Sequence, residues 1–175
     1  MEESKIKIEI DDSEVREKFL KLQELGISLS HKMMDVGLKV QNTIELAFEE
    51  QQSPYGETWE PLADSTVSGS YRGRKKGKRG KETAGYKAYA SGRKILIQEG
   101  TLAGAFQPEI SGDTVTLGTN LPYAAIHHFG GDAGRGKQVK IPARPYLPFK
   151  DDQLHPDLQD DIVSYLTNVI KRSID

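Results

Sequence analysis

Lys5-Ile6-Lys7-Ile8-Glu9-Ile10 alternates polar and apolar side chains. That period of two predicts a half-buried strand with Ile6, Ile8 and Ile10 on one face. Asp12 or Ser13 can cap a following helix, in which Val15, Phe19 and Leu22 recur at helical spacing and Gly26 suits the end. A longer helix is predicted from about residue 29 to 50. Its apolar stripe is Leu29, Met33, Val36, Val40, Ile44, Ala47 and Phe48. Gly37 weakens this helix by about 1 kcal/mol relative to Ala, and marks either close packing or a simply tolerated glycine. The Met33-Met34 pair reads as core filling.

Residues 53–92 show no clear period. Ser53-Pro54-Tyr55-Gly56 breaks the helix, and Trp59, the single tryptophan, follows in Glu57-Thr58-Trp59-Glu60-Pro61-Leu62. A tryptophan in a loop anchors that loop to the core or joins an interface, and the anchor is the commoner role. Forty residues without regular structure are unusual inside a compact domain. The stretch is therefore expected to be an insertion that orders on assembly.

Periodic signals return at Ile95-Leu96-Ile97, and Gly100 and Gly104 flank a turn or short helix ending near Phe106. Pro108-Glu109-Ile110-Ser111 and Thr114-Val115-Thr116-Leu117-Gly118, joined by Gly112-Asp113, predict a hairpin. Tyr123-Ala124-Ala125-Ile126-His127-His128-Phe129 predicts a short helix ended by Gly130-Gly131, and 138–141 a strand. Pro142-Ala143-Arg144-Pro145-Tyr146-Leu147-Pro148 should be stiff and irregular, because its prolines lack backbone donors. Leu158, Ile162, Tyr165, Leu166, Val169 and Ile170 mark a closing helix, with Pro156 at its first turn and Lys171 and Arg172 at its end. The sum is α+β: a small, mostly antiparallel sheet against two or three amphipathic helices. A single domain over residues 1–175 is expected, with 53–92 as a long basic flexible insertion.

A length of 175 residues fits one core. The absence of cysteine excludes disulfides, cysteine-based zinc sites and thiol chemistry. No apolar run approaches the roughly 20 residues of a bilayer helix, and the acidic N-terminus lacks an apolar signal core. These features predict a soluble intracellular protein with no membrane contact.

The net charge of -2 conceals an asymmetry. Residues 1–52 carry 7 Lys/Arg against 12 Asp/Glu, 53–100 carry 10 against 5, and 151–175 carry 2 against 6. Within 72–81 seven residues are basic (Arg72, Arg74, Lys75, Lys76, Lys78, Arg79 and Lys81) and the other three are glycines. Such a block reads either as a mobile solvated loop or as an arm for phosphate or an acidic protein face. Nucleic-acid binding through 72–81 is the alternative function it raises.

Catalytic motifs are not found. Gly131-Asp132-Ala133-Gly134-Arg135-Gly136-Lys137 has the spacing of a phosphate loop, but Gln138 stands where a magnesium-binding hydroxyl is needed. His127 and His128 are adjacent, so on a helix they diverge by about 100° and do not share a metal easily. One is expected to be buried and hydrogen-bonded and the other nearer the surface. No catalytic, cofactor-binding or metal-binding residue is assigned.

Four segments together resemble the phage virion morphogenesis family, the Mu-like tail-completion proteins of tailed bacteriophages. They are Pro54-Tyr55-Gly56-Glu57-Thr58-Trp59-Glu60-Pro61-Leu62; Lys94-Ile95-Leu96-Ile97-Gln98-Glu99-Gly100-Thr101-Leu102; Leu117-Gly118-Thr119-Asn120 with Tyr123 to Gly131; and Ile141-Pro142-Ala143-Arg144-Pro145-Tyr146-Leu147. Order and spacing match over roughly residues 30–170. His128 stands where similar proteins often have glutamine, and Ala105 where serine is frequent. The resemblance implies a non-enzymatic structural protein of tail completion or head–tail joining, with other tail or neck proteins as partners. It implies self-association into a ring, a chain that is monomeric when free, and DNA contact as an open question. The location implied is the host cytoplasm during assembly and then the head–tail region of the virion. Trp59, Tyr123, His127, His128, Phe129, Gly130, Pro142, Arg144 and Pro145 carry the motif as structural residues. Arg144 is expected to donate to carbonyls of the turn or to a neighbouring subunit.

Overall fold

One face of a 21-residue helix, α1 (Ser30–Glu50), is buried along its length through Met33, Val36, Val40, Ile44, Ala47 and Phe48. The structure is a computed structural model and describes residues 5–7, 30–97, 100–112, 114–151 and 153–174. Ile8, Ile10 and the helix expected after Asp12 lie outside the described residues.

Against α1 lies a three-stranded antiparallel sheet of β1 (Lys5–Lys7), β2 (Gln107–Ser111) and β3 (Thr114–Gly118), in the order β1-β3-β2. Ile6 and Pro108 both stand opposite Leu117 in register. Pro108 is tolerated because β2 is an edge strand. Gly37 is needed here: a Cβ at that position would sit 2.5 Å from the Pro108 Cβ and 3.2 Å from Val115 Cγ1. The glycine lets helix and sheet approach, as close packing requires.

The chain closes with α5 (Pro156–Ile174), which buries Leu158, Ile162, Leu166 and Ile170 in the same core as α1. Lys39 of α1 meets Asp161 of α5 at 2.6 Å, and the Tyr165 hydroxyl donates to Asp35. The predicted hairpin, closing helix and long helix are all present. Of the methionine pair, Met33 is in the core and Met34 is 42% exposed.

The architecture is α+β, but the strands do not form one sheet. Besides the three-stranded sheet there are two small antiparallel pairs: β4 (Gly131–Ala133) with β5 (Val139–Ile141), and β6 (Phe149–Lys150) with β7 (Gln153–Leu154). The physical reason is local. Gly130 adopts φ 72° and Gly131 φ 146°, while the prolines of 142–148 withhold the donors a continuous ladder needs. Residues 131–137 hold β4 and a 3-10 turn at Arg135–Lys137.

The stretch 53–92 also differs from expectation. It contains α2 (Asp64–Ser70) and α3 (Ala84–Gly92). Thr83 caps α3, its hydroxyl oxygen accepting from the Tyr86 amide at 3.2 Å. Tyr71 packs edge-on against Tyr86 at 5.3 Å and at a tilt against Tyr89 at 5.0 Å. Val67 and Tyr86 are buried in this satellite and do not belong to the main core. Short helices rarely hold by themselves, so the tyrosines hold these two.

Candidate assembly surfaces

The segment 142–148 has no regular structure but is tied by hydrogen bonds to the Trp59 segment and to the helix carrying His127 and His128. Tyr146 is its anchor. Its ring is buried against Phe48 at 5.0 Å and Phe106 at 5.5 Å, and its hydroxyl donates to the Ala124 carbonyl at 2.8 Å. Burial pushes the phenol pKa well above its ordinary value. Arg144 is buried too. Its Nε donates to the Glu60 carbonyl at 3.0 Å and an Nη donates to the Pro61 carbonyl at 3.2 Å. Its own amide donates to the His127 carbonyl at 2.9 Å. The turn carbonyls that accept from Arg144 belong to the Trp59 segment of the same chain.

Trp59 completes the junction from the other side. Its ring meets Phe48 edge-on at 5.4 Å, and its indole Nε1 donates to the Pro145 carbonyl at 2.8 Å. Trp59 is therefore an anchor to the core.

The helix α4 (Ala124–Phe129) contributes both histidines. His128 is buried, and its Nδ1 accepts from the amides of Tyr146 at 3.1 Å and Leu147 at 3.5 Å. An acceptor Nδ1 puts the proton of the neutral ring on Nε2. Burial lowers the His128 pKa to about 4. His127 is half-buried, and burial, then the Arg144 charge, lower its pKa as well. Gly130 ends the helix where a Cβ would meet the Ala143 amide nitrogen at 2.8 Å. Trp59, His127, His128, Gly130, Arg144 and Pro145 are thus brought together, with Pro142 half-buried beside them. Tyr123 and Phe129 differ: they are 40% and 68% exposed.

The basic block sits on the satellite. Residues 75–83 fold back on themselves: the Thr83 amide donates to the Lys75 carbonyl at 3.0 Å, and the Gly77 amide donates to the Lys81 carbonyl at 2.8 Å. Lys76 bridges Glu82 in antiparallel fashion. Lys75 turns inward, its Nζ 4.8 Å from the Tyr86 ring centroid and 3.6 Å from Asp64. Arg72, Arg74, Lys76, Lys78, Arg79 and Lys81 are exposed. Sequence periodicity does not reveal this hairpin, although Thr83 as a cap and the tyrosines at 71, 86 and 89 are signals for it.

Among the described residues, no group of three His, Asp or Glu is placed to hold a metal ion, and no helix is long and apolar enough to cross a membrane.

Residues 10–167 match the phage virion morphogenesis family. Mu-like prophage FluMu G protein 2 of Haemophilus influenzae is 42% identical over 86 residues, a span of 45% of this chain and 62% of that protein. The matched part is thus under two thirds of that relative's length. No solved structure matches. With nearly its whole length covered by the family match, the chain belongs to the phage virion morphogenesis family.

Proposed function

We propose that this chain acts as a structural, non-catalytic protein in tail completion or head–tail joining, and that the exposed cations of 72–81 are its contact with a polyanionic surface. One observation carries the second half: six basic side chains stand exposed, four on the 75–83 hairpin and two just before it, and the aromatic support of this hairpin lies apart from the main core. A surface mounted this way can reorient without disturbing the fold. The name of the Haemophilus influenzae relative, a Mu-like prophage protein, supports a phage or prophage setting.

The partners in this reading are other tail or neck proteins and further copies of the chain. Symmetric particles favour head-to-tail contacts that close into a ring. In this reading the free chain is monomeric and associates only on the assembling particle. Assembly takes place in the host cytoplasm, and the finished protein resides at the head–tail region.

The test is complementation of a phage lacking this gene. Charge reversal of Lys76, Lys78, Arg79 and Lys81 should leave the domain folded while unjoined heads and tails accumulate, counted by electron microscopy. Lys75 is spared because it packs on Tyr86. Normal numbers of infectious particles would refute the assignment.

A nucleic-acid-binding module is the second reading, favoured by the absence of any carboxylate within 72–81. It requires duplex DNA binding whose log affinity falls with log salt by about 0.9 per phosphate contacted. Affinity unchanged by removal of these cations would exclude it.

A further inference from the structure

Between the satellite and the core lies a cavity of about 360 Å³. Its polar wall is built by Thr66, Arg93, Lys94, Thr101, Tyr123 and His127. Leu62, Leu96 and Ile97 form an apolar wall. These residues come from segments far apart in the chain. Among the described residues no carboxylate lines the cavity.

Two lining groups carry buried nitrogens without a hydrogen-bond partner, Nε of Arg93 and Nδ1 of His127. Buried polar atoms without partners are rare in native folds and ask for an explanation. The Arg93 guanidinium carbon lies 5.5 Å from the Tyr89 ring centroid, which braces its plane. A braced guanidinium at a cavity wall is a fork that can receive a planar carboxylate through two parallel bonds. Lys94 adds a second cation without that geometry. The apolar wall disfavours a bare inorganic anion, which offers nothing to bury there. It suits an aliphatic side chain next to the carboxylate. The volume is that of a small-ligand or side-chain pocket.

We propose that this cavity is a docking site for an acidic peptide segment of a partner protein, with an Asp or Glu carboxylate seated against Arg93 and Lys94 and a neighbouring aliphatic side chain against Leu62, Leu96 and Ile97. The occupant is fixed by charge complementarity and by the mixed walls. The site is separate from the exposed cations of 72–81 and stands whether or not that hairpin contacts a partner.

The experiment is an NMR titration of the full-length, isotope-labelled chain. The probes are acetyl-leucyl-aspartyl-leucinamide, its asparaginyl counterpart and inorganic phosphate. Saturable shifts are expected at the amides of Lys94, Leu96, Thr101 and Tyr123 with the aspartyl peptide. Binding should weaken about tenfold with the asparaginyl peptide or in Arg93→Gln, the loss of one charge-assisted bond. Arg93→Lys, which keeps the charge and loses the fork, should fall between. Equal binding of both peptides, stronger binding of phosphate than of the aspartyl peptide at these amides, or no saturable shift would overturn the proposal. Glu99, which lies outside the described residues, supplies the remaining arm. Binding seen only in Glu99→Gln would show that the chain fills the site itself, and the proposal would fail.

Discussion

The indole of Trp59 donates to the carbonyl of Pro145 at 2.8 Å across 86 positions of sequence. Pro145 has no amide proton, so this carbonyl is its only backbone polar group. The bond joins the first family segment to the last, and Arg144 repeats the linkage through the Glu60 and Pro61 carbonyls. Backbone that forms no ladder is thereby satisfied by side chains.

Trp59→Phe tests that bond. The variant keeps an aromatic ring against Phe48 but leaves the Pro145 carbonyl unpaired. The expected loss is about 1–3 kcal/mol in denaturant unfolding. Trp59→Ala also leaves a cavity, and its expected loss is about 3–5 kcal/mol. Wild-type stability in the phenylalanine variant would show that the hydrogen bond contributes nothing.

Gly37→Ala sets two effects against each other. Alanine favours a helix interior by about 1 kcal/mol over glycine. Its Cβ, however, would lie 2.5 Å from the Pro108 Cβ, and neither group is a flexible chain end. Overpacking of this kind costs about 1–3 kcal/mol. Net destabilisation is expected, with the sheet shifting away from α1. A rise in melting temperature would mean that β2 moves at no cost.

Periodicity explains how much of this fold was readable in advance. The stripe of α1, the hairpin around Gly112 and the closing helix each bury one regular face, so local pattern and tertiary contact agree. The satellite was not readable in the same way. The seven residues of α2 include three serines and a glycine, and α3 is nine residues long. Both depend on Tyr71 meeting Tyr86 and Tyr89, contacts that span many positions and have no period. Trp59 as an anchor and Arg144 as a donor to carbonyls could be inferred from residue chemistry. The cavity could not, because Thr66, Arg93, Thr101 and His127 meet only in the folded chain.

Tyr86→Ala should unfold the satellite without unfolding the core. The substitution removes the edge contact to Tyr71 and the ring beneath Lys75. Tyr86 is buried apart from the core residues around Ile44 and Ile162. Amides of 71–92 should lose hydrogen-exchange protection, and trypsin should cut faster within 72–81. The global melting midpoint should move by only a few degrees, roughly the effect of 1 kcal/mol or less. A cooperative loss of the whole fold would show that satellite and core are one unit.

His128 makes stability depend on pH in a predictable direction. In the folded chain its Nδ1 accepts from the Tyr146 and Leu147 amides, and burial lowers its pKa from 6.5 to about 4. A proton on Nδ1 would face two donors. The unfolded chain therefore binds more protons than the folded one between these two values. The contribution is fully present above about pH 6.5, falls as pH drops, and levels off below about 4. The full swing is about 3 kcal/mol, because a tenfold change in proton affinity is worth about 1.4 kcal/mol. His128→Gln isolates the effect. A glutamine side-chain oxygen can accept from the same amides and does not titrate. Denaturant unfolding of both proteins from pH 7 to pH 4 should show the wild type losing about 3 kcal/mol more than the variant. A residual slope of the same sign, from the lowered pKa of His127, should remain in both. Parallel pH profiles would mean that His128 is not held neutral by the Tyr146 junction.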